Sequence, residues 1–119
     1  MLKIALAQSL IETRDDEKVE EAIGLVKSAL QSERDNSQGW YLLSLAYAQQ
    51  GNDGLAKYAS AERFYAIGDI QRARSFAKRA QQDLPRNEPQ WRRASDIVVV
   101  SEAQLARNGN RRAGRPFTF

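Results

Sequence analysis

The sequence predicts an all-α fold, a stack of about six helices arranged as antiparallel hairpins (an α-α superhelix). Three observations predict it. Small and aromatic residues return on a 17-residue beat: Ala22 and Ala56 lie 34 residues apart, Ala56 and Ala73 lie 17 apart, and Trp40 and Trp91 lie 51 apart. One helix plus its turn fills such a period, and a fixed period marks a repeat architecture. Apolar residues recur at helical spacing, and cap and turn residues fall between the apolar runs.

The elements come in order. A first helix over about 1–13 sets Ile4, Leu6 and Leu10 among small residues. Asp15 and Asp16 cap the second, whose first turn is acidic, as the helix dipole favours. Its apolar set, Val19, Ala22, Ile23, Val26, Ala29 and Leu30, lies on one face. Asp35, Asn36 and Ser37 form a turn with a cap. The third helix, about 38–50, carries Trp40, Leu43, Leu45, Ala46 and Tyr47. Gly51-Asn52-Asp53-Gly54 ends it and opens the fourth, which runs to about Ile67. Gly68 and Asp69 stop that helix and cap the fifth, because Gly accepts the left-handed closing conformation and Asp caps the next helix. The fifth places Ile70, Ala73, Phe76, Ala77, Ala80 and Leu84 together and stops at Pro85. Asn87-Glu88-Pro89 opens a sixth with Trp91, Ala94, Ile97, Val98 and Leu105; its β-branched run Ile97–Val100 also suits a short strand.

The period ends near Arg107. The expected organisation is therefore one helical domain over residues 1–107 and a flexible basic tail over 108–119, with Gly109, Gly114 and Pro116 in it. Phe117 and Phe119 give the tail a candidate apolar anchor. Met1 to Leu10 lacks the pattern of a signal peptide, and no apolar run approaches the roughly 20 residues of a membrane helix.

Composition narrows the chemistry. The chain of 119 residues contains no His and no Cys. Histidine-based catalysis, thiolate nucleophiles, disulfides and the commonest zinc ligands are excluded. The expectation is a chain that is not an enzyme and carries no cofactor or metal. The acidic cluster Asp15, Asp16, Glu17, Glu20 and Glu21 is explained by its place at a helix start. Net charge is +3, unevenly spread. Residues 1–59 hold six Lys/Arg against nine Asp/Glu, and residues 60–119 hold twelve against six.

The order of residues within the period is specific. Trp40, Leu43, Tyr47, Gly51 and Ala56 run as a large aromatic, a turn glycine and a small residue opening the next helix. Tyr65, Gly68, Ala73, Ala80 and Pro85 repeat that order half a period further on. This is the pattern of a tetratricopeptide (TPR) unit, in which the small residues let two antiparallel helices approach. The two registers overlap on the fourth helix, which serves as second helix of one unit and first of the next.

The chain also resembles one family. The residues that carry the resemblance are Trp40, Leu43, Ala46, Tyr47 and Gly51, then Ala59-Ser60-Ala61-Glu62, Tyr65-Ala66 and Gly68-Asp69. Ala73, Ala77, Arg79-Ala80, Trp91-Arg92 and Asp96-Ile97 complete the set. They resemble the C-terminal TPR region of the bacterial periplasmic zinc metallopeptidases of peptidase family forty-eight. The resemblance covers about residues 2–98 and is most specific over 40–97. It implies a TPR fold, a place in the periplasm or cell envelope, and a role in recruiting protein substrates for a catalytic domain in cis. Without that link the expected location is the cytoplasm. The family's HExxH motif is missing from this chain, so no catalytic residue carries over.

Two candidate surfaces emerge. With Trp40 as the aromatic anchor, Gln38, Tyr41, Leu45 and Gln49 line a groove along the first helices, joined by Ile11 and Arg14 of the preceding unit. This mixed surface suits a protein or peptide ligand, with Tyr41 as the strongest anchor because it loses little entropy on binding. The second surface is a basic stripe, Arg72, Arg79 and Arg86, spaced by seven so that the first two share a helical face. It suits nucleic acid or an anionic surface, but Asp69, Asp83 and Glu88 dilute it and no aromatic platform is visible beside it in the sequence. A solvated face, or a dock for an acidic partner, is the stronger reading of that stripe. A third arrangement is a homo-oligomer formed through the poorly capped first helix.

Overall fold

The computed structural model describes residues 2–114. Six helices succeed one another: α1 (Leu2–Glu12), α2 (Asp16–Ser32), α3 (Ser37–Gln49), α4 (Asp53–Ala66), α5 (Ile70–Asp83) and α6 (Pro89–Gly114). The fold is all-α, and no strand occurs among the described residues. The Ile97–Val100 run is helical.

Side chains satisfy free amides at the starts of four of these helices. Asp15 Oδ1 accepts from the Glu17 and Lys18 amides at 3.0 and 3.3 Å. Asn36 accepts from Gly39 N, Asn52 from Leu55 N and Asp69 from Arg72 N. Gly51 and Gly68 close α3 and α4 at φ +75° and +83°, where a glycine has no Cβ to clash. The α1–α2 turn uses Arg14 instead, at φ 59°.

Small residues set the spacing between helices. Ala22, Ala46, Ala59, Ala61, Ala73, Ala77, Ala80 and Ala94 are fully buried. A Cβ on Gly54 would stand 2.9 Å from Leu84 Cδ2, so the start of α4 packs directly on the end of α5. Lys57 of α4 also reaches Asp83 of α5. These contacts, with Lys3 Nζ to Ser28 Oγ at 2.8 Å and Trp91 Nε1 to the Gln81 carbonyl at 3.1 Å, show consecutive helices running antiparallel.

Beyond the consecutive pairs, α1 packs on α3 and α4 packs on α6. The pairs α2 with α4 and α3 with α5 make no backbone approach within 8 Å. The side on which alternate helices touch therefore changes at α4, the helix on which the two sequence registers overlap. A furrow lies between α2 and α4, floored by α3, and Arg63 and Phe64 of α4 stand between Tyr41 of α3 and Phe76 of α5.

Helix α6 continues past residue 107 to Gly114. Residues 106–110 are exposed and give no apolar period to read, but residues such as Ala106 and Arg107 propagate a helix already started by the packed turns around Ile97. Phe117 and Phe119 lie outside the described residues. No helix among the described residues is long and apolar enough to cross a membrane.

Candidate protein-binding surfaces

Helix α3 has two unlike faces. Trp40, Leu42, Leu43, Ala46 and Tyr47 are buried. Gln38, Tyr41, Leu45 and Gln49 are exposed, and their i, i+3, i+4 spacing sets them in one stripe on the opposite side. Tyr41 and Leu45 are each 37% exposed. Gln49 Nε2 donates to the Ile11 carbonyl at 3.4 Å, which ties the end of α3 to the end of α1. Arg14 lies at that same end, exposed in the turn. Ile11 itself is 3% exposed, so it belongs to the core and not to the groove. Its spacing from Ala7 places the two on one buried face of α1.

The basic stripe divides. Arg72 and Arg79 lie one on each side of Phe76 along α5, and both are exposed. Arg86 lies beyond the end of α5, and its guanidinium stacks 5.2 Å from the Trp91 ring. Pro85 ends the helix before the seven-residue spacing can place a third arginine in line.

Rings interleave with these arginines in space. The Arg63 guanidinium stands 4.7 Å from the Tyr41 ring centre and 5.1 Å from that of Phe64. Arg72 stands 5.6 Å from Phe64, and Arg79 stands 5.4 Å from Phe76. Phe64 and Phe76 stack at 5.3 Å with planes 21° apart. No linear pattern shows this aromatic platform beside the stripe, because its members come from α3, α4 and α5. A local signal does exist on α5, where Arg72, Phe76 and Arg79 have i, i+4, i+7 spacing.

The α2/α4 furrow, which sequence reasoning missed, contains a cleft of about 340 Å³. Leu30, Trp40, Leu43, Tyr47 and Tyr58 line it, with Lys27 and Arg34 among its charged residues. The polar atoms of Trp40 and Tyr58 already have partners. Trp40 Nε1 donates to the Arg34 carbonyl at 2.7 Å, and Tyr58 Oη donates to Glu62 Oε2 at 2.7 Å. Trp40 and Tyr58 meet edge to face at 5.9 Å. These are packing roles.

Beside the cleft lies a charged knot. Arg93 of α6 donates to Glu62 of α4 through Nε and Nη2, at 3.0 and 3.1 Å. The carboxylate hydrogen bond holds the Arg93 guanidinium above its ordinary range. Burial, with the Glu62 charge and hydrogen bond behind it, pushes the Tyr58 hydroxyl well above the usual tyrosine value. Each oxygen of Glu62 thus has a donor, as a buried carboxylate requires.

No group of three or more acidic residues among the described residues could hold a metal ion. The acidic cluster at the start of α2 is exposed, and Asp15 serves there as the cap. No family model matches the chain, and no curated protein matches its sequence.

Proposed function

We propose that this chain is a protein–protein interaction module that binds a peptide segment along the exposed face of α3. The observation that carries this reading is the stripe of Gln38, Tyr41, Leu45 and Gln49. It sets two half-exposed apolar side chains between amides. Tyr41 offers a rigid amphipathic ring, and Leu45 an apolar contact one turn away, the composition of a binding hot spot within a polar rim.

The test is a selection of peptides from a random displayed library on the whole chain, with the bound site then mapped by amide chemical shifts. Binders whose shifts centre on 38–49 support the reading. Binders that perturb only other helices, or an empty selection, refute it.

The wider setting we propose rests on the resemblance of residues 40–97 to the TPR region of periplasmic zinc metallopeptidases. In that setting the module recruits protein substrates for a catalytic domain in cis. Reading the genomic frame upstream of Met1 tests this. An in-frame HExxH domain supports it, and a stop codon there removes the link while leaving the interaction module.

A further inference from the structure

We propose that the ladder of Tyr41, Arg63, Phe64, Arg72, Phe76 and Arg79 is a docking surface for an acidic protein segment, whose carboxylates are taken by the guanidiniums seated beside the rings. The inference rests on the protein-binding reading above and adds the chemistry of the partner.

Three features of the ladder argue for it. First, the arginines are held against rings. Arg63 lies near two rings, and Arg72 and Arg79 each lie over one. A guanidinium seated over a ring still has N–H groups to offer, and its planar fork matches a carboxylate. Ordering the side chain in advance also lowers the entropy lost on binding.

Second, the charge is scarcely compensated. Asp69 lies 3.6 Å from Arg72 across an exposed pair, which is weak in water. Arg63 and Arg79 form no ion pair among the described residues. The positive field is therefore available to an anionic partner.

Third, the rings are already covered. Single-stranded nucleic acid binds by stacking bases on free aromatic faces. Here guanidiniums stand near Tyr41, Phe64 and Phe76, and Phe64 and Phe76 stack on one another. This arrangement favours carboxylates over bases. The ladder also begins at Tyr41, so an acidic segment lying on it continues onto the α3 stripe.

The experiment measures binding of a fluorescein-labelled peptide of alternating Glu and Ser, by anisotropy at physiological salt. A thymidine oligonucleotide of equal charge is the comparison. The wild-type chain is expected to bind the peptide more tightly than the oligonucleotide. The ladder variant Arg63→Gln/Arg72→Gln/Arg79→Gln should lose about tenfold or more in affinity. The charge-matched variant Lys18→Gln/Arg92→Gln/Arg107→Gln, at exposed positions elsewhere, should lose less than about threefold. Phe64→Leu/Phe76→Leu keeps every charge and should still weaken binding, because the arginines lose their seats. Circular dichroism checks that each variant stays helical.

Equal losses in the two charge variants overturn the proposal, since bulk charge would then explain binding. Tighter binding of the oligonucleotide overturns it in favour of a phosphate-binding surface, and no binding of the peptide overturns it outright. Library peptides that map to 38–49 without enrichment in Asp or Glu would sink the acidic partner and leave the protein-binding reading standing.

Discussion

Arg93 and Glu62, 31 residues apart in the chain, form a two-pronged ion pair that clasps α6 to α4. Glu62 is 4% exposed and also accepts from Tyr58. Arg93→Ala leaves that carboxylate with one neutral donor. The expected loss is about 2–4 kcal/mol, kept below the cost of a fully buried break because the Arg93 side chain is partly open to water. Glu62→Gln/Arg93→Ala should recover part of that loss, since the group left buried is then neutral and still accepts from Tyr58. Urea unfolding of the two variants checks this, and a double variant no more stable than the single one contradicts it.

Ala73 has no exposed surface and sits where α5 meets its neighbours. Ala73→Leu is expected to cost about 1–3 kcal/mol through overpacking. Ala106→Leu, at an exposed position on α6, should change stability by less than about 0.5 kcal/mol. Thermal or urea unfolding of the pair separates a packing position from a surface one.

Local chemistry is the part of this fold that a linear sequence makes legible. Asp15, Asn36, Asn52 and Asp69 cap through side chains two or three residues from the amides they serve, so their roles are written in nearby letters. Gly51 and Gly68 mark turns for the same reason. The stack itself is legible because Ala73, Ala77 and Ala80 keep helical spacing. The parting of α3 from α5 is not, because it depends on how side-chain volumes from several helices fit together. The ladder is hidden similarly: Tyr41, Arg63 and Arg72 belong to three helices and no linear motif joins them. Arg86 keeps the seven-residue spacing but lies beyond α5, which ends at Asp83, so only Arg72 and Arg79 share the helix, as the stop at Pro85 leads one to expect.

Arg14 holds a left-handed conformation at φ 59°, which costs a residue with a Cβ more than it costs glycine. Arg14→Gly should therefore stabilise the chain by about 0.5–1 kcal/mol. A raised unfolding midpoint in urea confirms the strain, and a lowered one shows that the arginine side chain contributes more than its backbone costs.

Glu102 accepts from Arg74 at 3.1 Å and lies 3.4 Å from Lys78. The hydrogen bonds from Arg74 and Lys78 lower its pKa below the ordinary 4.5. A carboxylate depressed in the folded state contributes stability above its unfolded pKa and loses it as pH falls through the folded value. Glu102→Gln should thus melt below the wild type at neutral pH, with the gap closing as acidification passes below 4.5. Melting temperatures across that range check the sign, and a gap that stays constant contradicts it.

Protein binding along the exposed face of α3 needs Tyr41 as its main anchor. Calorimetric titration of a library-selected peptide into the wild-type chain and into Tyr41→Ala decides whether it has one. A loss of about tenfold or more in affinity is expected for Tyr41→Ala, with the helical spectrum unchanged because the ring lies at the surface. Unchanged affinity in a folded Tyr41→Ala chain would contradict that reading and move the binding site off α3.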